Sequence, residues 1–128
     1  MDSNESPRPP RRRVRSLPLP WQFRYCYDGG RKLVTRHAVV FLRTPAQPDG
    51  LRVGVVASRK VGDAVRRNRS KRLLREAARA LAHRWIDRDM WVVLVARASI
   101  VDRSSIEVRD DIERALLDNG VLEAKNIE

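Results

Sequence analysis

The stretch RKVGDAVRRNRSKRLLREAARA, residues 59–80, places seven arginines and lysines between positions 66 and 79 against a single acid, Glu76. At about 100° per residue, Ser70, Leu73, Leu74, Ala77 and Leu81 share one side, while Asn68, Arg72, Arg75 and Arg79 follow one another along the opposite side. The spacing predicts an amphipathic helix over residues 65–81, with its apolar stripe on a packed layer and its polar half almost purely cationic. Like charges at these separations repel by a few tenths of a kcal/mol per pair. The arrangement therefore weakens the isolated helix unless something anionic lies along it. A phosphate backbone fits, and arginine supplies the planar fork suited to it. The alternative is an ordinary solvated face, which normally carries interspersed Asp and Glu.

Composition points the same way. A chain of 128 residues suits one domain with a real core. Its formal charge of +11 and pI of about 11.2 imply a large anionic partner, nucleic acid ahead of an anionic membrane. No window approaches the roughly 18 consecutive apolar residues of a spanning helix, and no charged-then-apolar signal segment opens the chain. The reading is cytoplasmic, with no membrane partner. The single cysteine, Cys26, permits no internal disulfide; beside only His37 and His83 it reads as a small half-buried apolar residue, and metal sites built on Cys or His are set aside.

Working outward, residues 1–16 (MDSNESPRPPRRRVRS) read as a flexible basic Pro/Arg-rich tail, too poor in apolar residues to fold. Residues 17–123 form the domain, and 124–128 a C-terminal tail. LPLPWQFRYCYDGG (17–30) has the proline start and glycine stop of a short helix, with Phe23, Cys26 and Tyr27 on one face. HAVVFLR (37–43), LRVGVVAS (51–58) and WVVLVAR (91–97) read as strands, the first two joined by the turn-forming TPAQPDG; RKLVTRH (31–37) hides a possible further strand. SSIEVRDDIERALLDNG (104–120) opens with Ser104 and Glu107 in capping-box spacing and closes on Asn119-Gly120. Its Asp110, Asp111 and Glu113 read as a solvated face rather than a metal site. Before the basic helix, Gly62 permits an unusual turn, and Arg59 and Lys60 leave the preceding strand beside a helix start that attracts anions; the same glycine reads equally as a plain tight turn.

The run SRKVGDAVRRNRSKRLLREA (58–77) resembles the signature of the bacterial ribonuclease P protein subunit, including its Arg-Asn-Arg core at Arg67, Asn68 and Arg69. QFRYCYDGGRKL is similar to that family's first helix and following glycine, LRVGVVAS to its central strand, and WVVLVAR to the later strand. Two departures stand out: Asp63 where a neutral amide is common, and Ala78 where an aromatic is common. The resemblance implies an α/β (α+β sandwich) single domain of order α-β-β-(β)-α-β-α, with a left-handed crossover to the central basic helix, similar to the fold of the second domain of ribosomal protein S5. It further implies one protein per catalytic RNA, assisting removal of the 5′ leader from precursor tRNA. The RNA and Mg²⁺, held mainly by RNA and substrate, do the chemistry. No catalytic or metal-ligating residue is assigned to the chain, which shows no nucleophile with a base at useful spacing. By the same resemblance Arg59, Lys60, Arg67, Asn68, Arg69, Lys71, Arg72 and Arg75 are RNA-contacting, with Arg69 and Arg75 alternatively packing their stems over neighbouring chain. Phe23, Tyr27 and Phe41 line a cleft for the single-stranded leader, or else belong to the core. The competing classes are a ribosomal-type structural RNA-binding protein and, more weakly, a DNA-binding regulator.

Overall fold

The structure, a computed structural model, describes residues 14–124. In chain order it comprises β1 (Arg15–Ser16), α1 (Pro20–Gly29), β2 (Arg31–Val34), β3 (Ala38–Arg43), β4 (Arg52–Val56), α2 (Ala64–Leu81), β5 (Trp91–Ala96) and α3 (Ser105–Asp118). The strands form one five-stranded sheet in the order β1-β4-β5-β3-β2. β3 runs antiparallel to β5 and to β2, whereas β4 runs parallel to β5 and to β1. Parallel neighbours need a crossover, and α2 provides it between β4 and β5.

Side-chain alternation divides the sheet between two layers. Ala38, Val40 and Leu42 of β3, with Val92 and Leu94 of β5, join Leu74 and Leu81 of α2 and Val108, Ile112 and Leu116 of α3 in the main core. The opposite residues, Phe41, Trp91, Val93 and Val95, meet Phe23, Tyr25 and Cys26 of α1. β5, covered from both sides, is buried at every position but Val95, which explains its unbroken apolar run. Fully burying such a side chain contributes about 1.5–3 kcal/mol.

The helix signals read from the sequence have their expected partners. Ser104 Oγ accepts from Glu107 N and the Glu107 carboxylate accepts from Ser104 N, closing the capping box of α3. Asp63 caps α2 by accepting from Arg66 N at 3.0 Å, so the departure at this position is a capping device. Ala78 is buried in the core, on the stripe that also holds Ser70, Leu73, Leu74, Ala77 and Leu81.

One open expectation is borne out and others need correction. The possible strand in RKLVTRH is real as β2, an edge strand. Arg15 and Ser16, read as the end of a tail, pair with Arg52 and Val53 instead; the rest of that tail, 1–13, and residues 125–128 lie outside the described residues. Asp111 and Glu113 do not form a solvated face. Asp111 accepts from Thr35 Oγ1 at 2.6 Å, Arg36 N at 3.0 Å and His37 N at 2.8 Å, tying α3 to the β2–β3 turn. Glu113 accepts from Arg84 Nη1 at 2.6 Å, with both side chains largely buried.

Removing the Asp111 carboxylate leaves the Arg36 and His37 N–H groups without their acceptor, while Thr35 Oγ1 keeps Ala38 O at 3.0 Å, so Asp111→Ala should lower unfolding free energy by about 1–3 kcal/mol. Asp110→Ala, at the exposed neighbouring position, should stay within about 0.5 kcal/mol in the same urea titration. A second expectation concerns alkaline pH. Burial pushes the Cys26 thiol up from 9.0 to about 11, against the opposing pull of Arg43. The folded state keeps this proton where the unfolded chain loses it, so the contribution is complete below pH 9 and lost between 9 and about 11. Stability of Cys26→Ala should fall less steeply across that window than wild type, measured by chemical denaturation at stepped pH.

Candidate RNA interface

The first surface is built on α2 and the turn before it. Ser58 accepts from Lys60 N at 3.3 Å and starts one 3-10 turn over Arg59–Val61, which leaves Arg59 and Lys60 exposed. Gly62 then takes φ 134°, a conformation that side chains rarely adopt. Arg67 Nη1 donates to Gly62 O at 2.9 Å, and Arg69 Nη2 donates to Arg103 O at 2.7 Å, fixing the turn and the approach to α3. Both arginines are half-buried, so the two outer members of Arg-Asn-Arg brace the backbone and keep further N–H donors for other partners.

The outer row is different. Asn68, Arg72, Arg75 and Arg79 are exposed along the side opposite the core, with Lys71 partly so. Among the described residues no carboxylate lies within 4.0 Å of Arg72, Arg75 or Arg79; the acidic cap Asp63 pairs loosely with Arg66 at 3.8 Å. Arg75 thus stands free in solvent, whereas Arg69 does pack against neighbouring chain. Arg79 belongs to the same row, although the signature alone did not assign it.

The second surface lies on the other face of the sheet. Phe23 covers Gly54 of β4 so closely that a Cβ there would stand 2.5 Å from the ring. Tyr27 and Phe41 meet edge to face with centroids 4.8 Å apart, and Lys32 Nζ stands 6.0 Å from the Phe41 ring centre. Phe23 and Phe41 are half-buried and Tyr27 is 39% exposed, so these rings are neither free nor sealed in the core. Val56 and Val95 continue this half-buried apolar face. Burial pushes the Tyr27 phenol up, with Cys26 beneath it adding to the shift.

Sequence reasoning missed a third group, on the opposite flank of α1. Trp91 lies 5.7 Å from both Trp21 and Tyr25, while Arg43 stacks 3.7 Å from the Tyr25 ring and donates to Tyr25 O at 2.8 Å. The Arg43 guanidinium fills the space beside Gly29, where a Cβ would collide with it. The i, i+4 spacing of Trp21 and Tyr25 was the available signal. Among the described residues no three His, Cys, Asp or Glu side chains gather in a way that could hold a metal ion.

This architecture and this chain have relatives. The family model described as Ribonuclease P matches residues 12–119. The ribonuclease P protein component of Symbiobacterium thermophilum is 38% identical over 101 residues, covering 79% of this chain and 87% of that protein. Among solved structures, the RNase P protein from Thermotoga maritima superposes with a TM-score of 0.69 at 28% identity, over 88% of this chain and 100% of that one. The Staphylococcus aureus RNase P protein gives a TM-score of 0.75 at 23% identity, over 87% of this chain and 100% of that one, a likeness of fold. A match spanning both helical surfaces and nearly the whole sheet means that the chain belongs to the ribonuclease P protein family.

Proposed function

We propose that this chain, as the protein component of ribonuclease P, binds the catalytic RNA through α2 and the 59–62 turn while the cleft beneath α1 holds the 5′ leader of precursor tRNA. One observation supports the reading above others: the uncompensated cationic row and the half-exposed aromatic cleft occupy opposite faces of one sheet. A protein so built bridges two RNAs, one held by phosphate contacts and one by base stacking. A ribosomal-type structural protein would need the first surface and not the second.

In this reading the chain supplies no reacting group. Asp111 and Glu113 are engaged in internal contacts, and Asp63 caps a helix. Mg²⁺ bound by RNA and substrate phosphates would supply an activated water and charge neutralisation, and no residue of this chain is assigned to hold it. The chain's own part is to orient: Arg72, Arg75 and Arg79 draw in the phosphate backbone, and Phe23, Tyr27 and Phe41 stack unpaired bases so that the cleavage site is presented in register. No described helix is long and apolar enough to cross a membrane, and we place this work in the cytoplasm with one protein per catalytic RNA.

The test is reconstitution with the catalytic RNA at low Mg²⁺. Rescue of precursor tRNA cleavage is the expected outcome, and its absence favours the ribosomal-type reading. Each phosphate contact contributes roughly 0.7–0.9 to the slope of log K against log salt. Arg72→Ala, Arg75→Ala and Arg79→Ala combined should therefore reduce that slope by about 2–3 with the melting temperature unchanged. Arg69→Ala should instead lower the melting temperature, because its guanidinium holds Arg103 O.

Leucine at Phe23, Tyr27 or Phe41 keeps much of the apolar packing and removes the stacking face. Each change should weaken precursor binding by about 1–3 kcal/mol per lost stack and leave mature tRNA nearly unaffected. Equal weakening of both ligands, tracking a lower melting temperature, would return these rings to a purely structural role.

A further inference from the structure

The two flanks of α1 are both aromatic, and the cleft uses one of them. Residues two positions apart on a helix are turned by about 200°, so Trp21 and Tyr25 lie on the opposite flank of α1 from Phe23 and Tyr27, across a width of roughly 10 Å. The other two tryptophans of the chain, Trp85 and Trp91, are 2% and 5% exposed, as structural tryptophans usually are; Trp21 is 52% exposed, and Leu19 beside it 47%. Trp21 is nevertheless supported: its ring stands 5.7 Å from Trp91 at 59° and 6.5 Å from Tyr25 at 78°. A braced indole left half in water is a surface for a planar ligand.

Charge identifies that ligand. Arg24 is exposed one turn along from Trp21, and Arg43 lies against Tyr25. Asp49, one acid of this corner, is already neutralised, accepting from Trp91 Nε1 at 3.1 Å and Arg52 Nε at 2.7 Å, with Arg15 at 3.9 Å, while exposed Asp28 lies two turns from Trp21 along the same flank of α1. The first described residues run along this corner, where Arg15 Nη2 donates to Asp49 O at 2.6 Å. Aromatic faces interleaved with arginines suit unpaired nucleotides. The corner shares α1 and its sheet face with the cleft, whereas α2 lies behind the sheet.

We propose that Trp21, backed by Trp91 and Tyr25 and flanked by Arg24 and Arg43, is a second stacking platform that takes a leader base lying farther from the cleavage site than those in the Phe23–Tyr27–Phe41 cleft. This rests on the leader reading of that cleft.

The test uses holoenzyme reconstituted with the catalytic RNA and three precursors: leaderless, with a short leader that fills the cleft alone, and with a long leader. Trp21→Leu, Trp21→Phe and Phe23→Leu are compared with wild type, and thermal unfolding is followed on the same samples. Trp21→Leu should weaken long-leader binding by about five- to tenfold, the lower end for one stacked base, and leave the other two precursors within about twofold. Trp21→Phe should recover most of the loss, because a stacking face is restored. Phe23→Leu should weaken short- and long-leader precursors alike. Unchanged long-leader binding in folded Trp21→Leu would overturn the platform. So would an equal loss on the leaderless precursor, which would assign Trp21 to the catalytic RNA or to packing. If Trp21→Leu weakens the long-leader precursor alone while Phe23→Leu weakens the leaderless precursor as much as the leadered ones, the cleft reading falls and Trp21 remains a leader contact.

Discussion

The burial of β5 on both faces is the constraint from which the molecule's organisation follows. A strand that offers Val92 and Leu94 to one layer and Trp91 and Val93 to the other cannot be satisfied by helices on a single side. α2 and α3 take the first face and α1 the second, so the helices are separated by the sheet. Whatever α2 does with its outer row, it does behind the surface that α1 presents. Two separate exposed surfaces, one on each side of the sheet, are a consequence of the layering.

The same layering explains how a helix with seven cations between 66 and 79 remains folded. Repulsion among neighbours of like charge costs a few tenths of a kcal/mol per pair. Against that stand six buried residues, Ser70, Leu73, Leu74, Ala77, Ala78 and Leu81, and each large one contributes about 1.5–3 kcal/mol. Packing wins, and the repulsion remains as a standing attraction for an anion along the exposed row. Asp63 sits at the one place where an acid helps the helix without interrupting that row.

What was legible in the sequence was whatever local periodicity encodes. The apolar stripe of α2, the capping box of α3, the strands β3, β4 and β5 and the exposed row at Asn68, Arg72, Arg75 and Arg79 each follow from spacing within a single element. What was not legible depends on pairing across long stretches of chain. Arg15 and Ser16 become a strand because β4 offers an edge, and nothing within those two residues requires it. Asp111 looked solvated because its helix neighbours are polar, yet its partners lie some 75 positions earlier at the β2–β3 turn. The Trp21–Tyr25–Trp91 cluster likewise joins distant segments. The cleft aromatics stayed ambiguous because half-burial serves packing and stacking together.

The Arg-Asn-Arg motif shows why long-range geometry also changes the meaning of a local signal. Read as charge, Arg67, Asn68 and Arg69 are three steps along one RNA-facing surface. Read in the fold, Arg67 closes on Gly62 O and Arg69 on Arg103 O, while Asn68 between them is exposed. Residues one position either side of an outward-facing residue are turned by about 100° to its flanks, where a long side chain reaches back over the adjoining turn. Lysine, with one compact ammonium, could neutralise a phosphate there but could not brace a carbonyl with one arm of a rigid fork and keep other donors in plane for a second partner. The motif therefore places arginine on both sides because Arg67 holds the turn at Gly62 and Arg69 holds the approach to α3, while Asn68 and Arg72 face outward from the helix so seated.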